Sequence, residues 1–140
     1  MNRTILISGN RKGIGRYLSE YYLNNGYNVI GCSRNKTNLS HKNYFHIIGD
    51  VSNELDVINI VKLGFKKFGS IDILINNAGQ ASLNHSILTP SKTVENIFGV
   101  NFNGTFYLSR ECAKIMMKNK FGRIINFSTV AVPLNLEGEM

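Results

Sequence analysis

The chain has 140 residues, 43% hydrophobic and 18% charged, an ordinary globular profile with enough length for a single domain over residues 1–140. Its 16 Lys and Arg exceed its 9 Asp and Glu for a formal charge of +7, but the cations are scattered rather than striped, which argues against a nucleic-acid face. Cys32 and Cys112 form no disulfide or zinc pattern and His41, His46 and His85 have no metal-ligand spacing, so no metal is expected. With no signal peptide and no apolar run of membrane-spanning length, a cytoplasmic protein without membrane contact is expected.

The apolar run Ile5 to Ile7 reads as a buried strand, and Gly9-Asn10-Arg11-Lys12-Gly13-Ile14-Gly15 follows it as a turn. From Ile14 the apolar residues Ile14, Leu18, Tyr21 and Tyr22 recur at helical spacing. A helix N-terminus leaves N–H donors unpaired at the positive end of the macrodipole, and glycines let another group come close to the backbone. A phosphate gains most from that combination. The same glycines could merely connect two elements, but their place between a buried strand and an amphipathic helix favours nucleotide binding. The spacing fits neither the common Gly-x-Gly-x-x-Gly fingerprint nor a P-loop.

Asn24-Asn25-Gly26 is a helix stop, and Tyr27 to Cys32 reads as a second strand, parallel to and beside the first. Enzymes that use NAD place Asp or Glu after this strand for the ribose 2'-hydroxyl, whereas a 2'-phosphate calls for Arg. Here Ser33-Arg34 follows, and no acidic residue occurs between Glu20 and Asp50. Lys12 adds a second cation on the same side of the site by topology, so NADP is expected over NAD.

Tyr44 to Ile48 is a short third strand that leads to Gly49-Asp50-Val51, where Asp50, Ser52 or Asn53 could cap the next helix. That helix runs from Asn53 to about Phe68, with Val57, Val61, Gly64, Phe65 and Phe68 on its apolar face. Ile71 to Ile75 is a continuously apolar fourth strand, central in a sheet covered on both faces, and it enters Asn76-Asn77-Ala78-Gly79. Gln80 to Pro90 reads as loop. A helix from Ser91 to Asn101 then leads through a bend into a longer one ending at Lys118, whose stripe of Phe102, Phe106, Ala113, Met116 and Met117 suits core and subunit contact. Gly122 to Thr129 is a fifth strand.

Four of these stretches, in order, resemble motifs of the short-chain dehydrogenase/reductase family: Gly9-x-x-x-Gly13-Ile14-Gly15, Asp50-Val51, Asn76-Asn77-Ala78-Gly79, and Gly122-Arg123-Ile124-Ile125-Asn126-Phe127-Ser128-Thr129. The resemblance covers essentially the whole chain. It implies a doubly wound parallel α/β sheet, the Rossmann fold, in the order 3-2-1-4-5 with the glycine turn where the order reverses. It further implies a nicotinamide cofactor along Gly9 to Gly15, its adenine at Asp50-Val51, and contacts at Asn77, Ala78 and Gly79. Basic residues at Lys12 and Arg34 mark NADP-preferring members. Hydride would pass between NADPH and a small-molecule carbonyl or alcohol, in an intact homo-oligomeric enzyme.

Asn101 matches the family position that holds a water of the proton relay. The catalytic hydroxyl is the second of the Ser-Ser pair, here Thr129, with Ser128 as the other candidate. A threonine still offers a donor and two lone pairs, though its methyl restricts the rotamer. The family's general acid, Tyr-x-x-x-Lys, occurs nowhere in the sequence. The 140 residues are therefore expected to be the inactive N-terminal part of a longer reductase, with Ile124 to Phe127 an uncovered edge strand. A non-catalytic nucleotide-binding regulatory protein and a non-functional truncated product are the alternatives.

Overall fold

Five strands, β1 (Thr4–Ser8), β2 (Asn28–Ser33), β3 (Tyr44–Ile48), β4 (Ile73–Asn76) and β5 (Arg123–Asn126), form one parallel sheet in the order β3-β2-β1-β4-β5. They are seen in a computed structural model that describes residues 2–82 and 85–129. The helices are α1 (Gly13–Asn24), α2 (Glu54–Phe68), α3 (Ser91–Phe98) and α4 (Gly104–Lys118), with the π-helical segment Gly99–Asn103 joining the last two. Leu6 pairs with Ile30 on one side and with Leu74 on the other, so the register aligns three apolar strands at the centre.

Alternation along the strands sorts the core onto two faces. Leu6, Ile30 and Leu74 pack with Val57, Ile60 and Val61 of α2 and with Leu108, Cys112 and Met116 of α4. Ile5, Ile7, Val29 and Ile75 pack on the opposite face with Leu23, Leu18 and Tyr22 of α1. All five residues of β1 are buried, the outcome for a central strand with both faces covered. Each crossover through a helix returns the chain to the same end of the sheet, which is why the ends of β1 and β3 that precede α1 and α2 lie at that one end, on either side of β2.

Several boundaries and faces differ from those read in the sequence. Asn53 is the cap of α2, its Oδ1 accepting from the Leu55 and Asp56 amides, whereas Asp50 Oδ1 accepts from the Ser52 amide and hydroxyl. Ile60, not Phe65, completes the inner face of α2, and Phe65 is left exposed. In α1, Gly15, Ser19 and Leu23 are the buried residues, while Ile14 and Tyr21 face outward. The buried line of α4 is Gly104, Leu108, Cys112 and Met116, so Phe102, Phe106 and Met117 of the expected stripe are exposed. Aromatic residues one helical position off the core face carry the same sequence signal as core residues.

The fourth strand starts at Ile73, because Asp72 is bonded to the first strand's entrance: its Oδ2 accepts from the Thr4 amide at 2.7 Å and from Ser70 Oγ at 2.9 Å. The expected loop at 80–90 contains a 3-10 turn, Ser86–Leu88, and its residues 83 and 84 lie outside the described residues. β5 is exposed at all four positions. No helix among the described residues is long and apolar enough to cross a membrane.

Candidate functional site

The turn after β1 is built from long-range ties. Gly9 donates its amide to the Cys32 carbonyl of β2 at 2.9 Å. From the other side, the amides of Asn77 and Ala78 each donate to Ser8 Oγ at 3.0 Å, and Asn77 Nδ2 donates to the carbonyl oxygens of Ser8 at 2.9 Å and Gly9 at 3.2 Å. Two glycines permit this closeness. Gly9 has φ +68°, and a Cβ there would lie 2.8 Å from Ala78 Cα; at Gly15 it would lie 2.5 Å from Asn77 Nδ2 and 2.6 Å from the Gly9 oxygen.

Where β1 parts company with its two neighbours, a cleft of about 380 Å³ opens across the carboxyl ends of β1, β2, β3 and β4. Its walls come from four segments: Gly9, Arg11, Lys12 and Gly13; 32–35; 49–51; and 77–80 together with Val100. This is the crevice at a topological switch point where open parallel sheets take ligands. α1 begins in the cleft at Gly13. Its N-cap, Lys12, is extended and gives no side-chain cap, and no acidic residue stands in the first turn. The first N–H groups and the positive end of the dipole are therefore open to an anion.

The cations on these walls are uncommitted. Among the described residues, Arg11, Lys12 and Arg34 enter no ion pair, and all three are exposed. Arg16, one turn further along α1, is engaged: it pairs with Glu20 at 2.5 Å and donates to Thr37 Oγ1 and Asn38 Oδ1, so it braces the segment after β2. Cys32 also borders the cleft, but its thiol is fully buried and burial pushes its pKa up to about 12, which leaves it a small apolar side chain.

Ten of the thirteen residues expected at the cofactor line the cleft: Gly9, Arg11, Lys12, Gly13, Arg34, Asp50, Val51, Asn77, Ala78 and Gly79. Three do not. Asn10 is fully buried beneath the turn, its Nδ2 donating to Ser19 Oγ and Tyr44 Oη, and its Oδ1 is a buried acceptor without a partner among the described residues. Gly15 packs against Asn77, and Ile14 is 58% exposed at the first turn of α1. Asn101 sits in the π-helical segment and clasps Gln80 at both ends, Oδ1 accepting from the Gln80 amide at 2.8 Å and Nδ2 donating to the Gln80 carbonyl at 2.9 Å. Gln80 is itself a cleft residue. Ser128 and Thr129 follow β5 and are exposed.

Sequence reading missed Ser8, whose hydroxyl unites β1 and β4, and it missed Ser33, Asn35 and Gln80 on the walls. Only position could have found the latter three, since each adjoins a strand end or motif that was recognised.

A model of the short chain dehydrogenase family matches residues 3–138. The chain is 32% identical over 151 residues to hydroxysteroid dehydrogenase-like protein 2 of Mus musculus, an alignment covering 95% of this chain and 30% of that protein. Among solved structures, the ligand-free aldohexose dehydrogenase of Thermoplasma acidophilum superposes with a TM-score of 0.92 at 28% identity, covering 99% of this chain and 53% of the other. ElxO with NADP bound superposes at 0.91 and 28%, covering 99% and 60%. The chain thus spans less than two thirds of the length of each of these relatives. With the switch-point cleft, the glycine turn and a family match over nearly every residue, the chain belongs to the short chain dehydrogenases.

Proposed function

We propose that this chain supplies the cofactor-binding part of an NADP-dependent oxidoreductase, in which hydride moves between the nicotinamide and a carbonyl or alcohol of a small molecule. The carrying observation is the charge on two of the segments that line the cleft. Lys12 and Arg34 line it without ion-pair partners among the described residues, and no acidic residue follows β2 until Asp50. A ribose 2'-phosphate gains charge-assisted bonds from such a pair, whereas a free 2'-hydroxyl loses the carboxylate it needs. ElxO, a relative of the same fold, carries NADP in its structure.

The open start of α1 and the amides of the glycine turn would hold the pyrophosphate, with Gly13 as the nearest helical residue. Asp50 and Val51 would meet the adenosine end, Ile14 would shield the pyrophosphate from solvent, and Asn77, Ala78 and Gly79 would border the path toward the nicotinamide. When bound, the cofactor supplies the hydride. The Thr129 hydroxyl, or Ser128 in its place, orients the reacting oxygen, and Asn101 stands in the proton relay while fixing Gln80 on the cleft wall. Exposed Phe98, Phe102 and Phe106 support a homo-oligomeric enzyme. The 140 residues contain no Tyr-x-x-x-Lys, so on their own they bind cofactor and give no turnover.

Calorimetric titration with NADPH and NADH tests the assignment. NADPH should bind tighter by about tenfold or more, since one charge-assisted bond contributes about 1.5–3 kcal/mol before screening. Arg34→Ala should lose most of that difference and leave NADH binding nearly unchanged. Equal affinity for the two cofactors in the unmodified protein would overturn the NADP assignment.

A further inference from the structure

His46 of β3 does not line the cleft, yet its ring bonds to one wall at Ser33 and Asn35 and to the Tyr44 hydroxyl, which reaches the glycine turn at Asn10. Nε2 lies 3.1 Å from the Asn35 carbonyl oxygen and 3.4 Å from Ser33 Oγ, and Nδ1 lies 3.0 Å from the Tyr44 hydroxyl. That hydroxyl is 2.5 Å from Asn10 Nδ2, inside the glycine turn. A carbonyl only accepts, so Nε2 carries the hydrogen. In the neutral ring Nδ1 is then an acceptor and Tyr44 donates to it, while Tyr44 accepts from Asn10. Burial favours that neutral form by lowering the ring's pKa, against the bond to Asn35, which raises it.

The bonds therefore run in one direction, from Asn10 through Tyr44 and His46 to Asn35. Space for the junction comes from Gly31 of β2, where a Cβ would collide with Asn10 Nδ2 and lie 2.5 Å from Tyr44 Oη. At the far end the Asn35 carbonyl also accepts from Ser33 Oγ at 2.8 Å, so the residues on both sides of Arg34 are pinned. At the near end Asn10 is two residues from Lys12.

We infer that His46 is a positioning residue for phosphate recognition: it fixes the Ser33–Asn35 turn that carries Arg34 and ties it, through Tyr44 and Asn10, to the turn that carries Lys12. The inference rests on the NADP assignment above. It makes the central residue of β3, outside every motif of the glycine turn, a determinant of cofactor choice.

Two substitutions separate the two ends of the ring. Asparagine places its amide near Nδ1 and drops the Asn35 bond; glutamine reaches to the Nε2 position and keeps it. His46→Asn should lower the NADPH-to-NADH affinity ratio about fivefold, the weight of one net hydrogen bond, with NADH affinity unchanged. His46→Gln, which keeps the Asn35 bond and gives up the one to Tyr44, should lower the ratio by less. A ratio untouched by His46→Asn in a protein that prefers NADPH would overturn the positioning role alone, as would equal losses in both variants or a parallel loss for both cofactors. Absence of any NADPH preference in the unmodified protein would overturn the NADP assignment and the inference together. An independent check is the long-range ¹H–¹⁵N spectrum of the unmodified protein, where His46 should carry hydrogen on Nε2 and none on Nδ1; the opposite tautomer would overturn the inference even if a variant failed to fold.

Discussion

Ser8 is a small residue with an unusually full set of bonds. Its hydroxyl accepts from the Asn77 and Ala78 amides at 3.0 Å each and turns its own hydrogen toward the Ile75 carbonyl at 3.5 Å. Replacing Ser8 by Ala leaves two half-buried amides unanswered, at about 1–3 kcal/mol for each, with partial access to water keeping the total near the lower end. The expected loss for Ser8→Ala is about 2–3 kcal/mol, read as a lower urea midpoint with an unchanged slope. Nothing in the sequence marked this role, since a serine before a glycine turn looks like turn chemistry. The glycines, Lys12, Arg34 and the Asn76-Asn77-Ala78-Gly79 segment were legible because their types are constrained by backbone geometry or by charge. Asn10 was legible only as a motif member, and its burial under Tyr44 depends on a strand 34 residues away.

At the scale of elements, the strands were legible from continuous apolar runs, and the boundaries of the first four fell within a residue or two of their expected places, whereas the fifth, expected from Gly122 to Thr129, runs only over Arg123–Asn126. The faces of the helices were less so. α2 is placed by Val57, Ile60, Val61 and Gly64, and Gly64 is required because a Cβ there would lie 2.7 Å from Ile30 Cδ1. A glycine in a helix interior reads as a weak helix former until the sheet beneath it is known. The start of α2 has three adjacent polar candidates, and geometry selects Asn53, which accepts from two amides. Asn53→Ala should cost about 1 kcal/mol, and Asp50→Ala should leave the start of α2 in place; denaturation midpoints of the two variants compare them directly. Glu54 and Arg110, at 2.5 Å, join the first turn of α2 to α4, an exposed pair whose removal should change stability little.

Considered whole, the molecule brings its cleft-lining residues together only through topology. The segments 9–13, 32–35, 49–51 and 77–80 are separate in the chain, and the order β3-β2-β1-β4-β5 gathers them at one end of the sheet. That order was legible because the glycine turn has to sit at the reversal. The exposure of β5 at the sheet edge was legible from the sequence, whereas the exposed α3–α4 side was legible only as apolar sequence, for which a core and a contact surface look alike. The ties around the glycine turn also have a kinetic consequence. Asn77 and Ala78 are 69 and 70 residues from Ser8, and Tyr44 is 34 from Asn10. The contiguous β1–α1–β2 unit thus contains none of these partners, and closing such long loops comes late in folding. The cleft should therefore be absent from the rate-limiting transition state, and the destabilisation by Ser8→Ala should appear almost wholly as faster unfolding, about thirtyfold for 2 kcal/mol, with the refolding rate nearly unchanged in stopped-flow denaturant jumps.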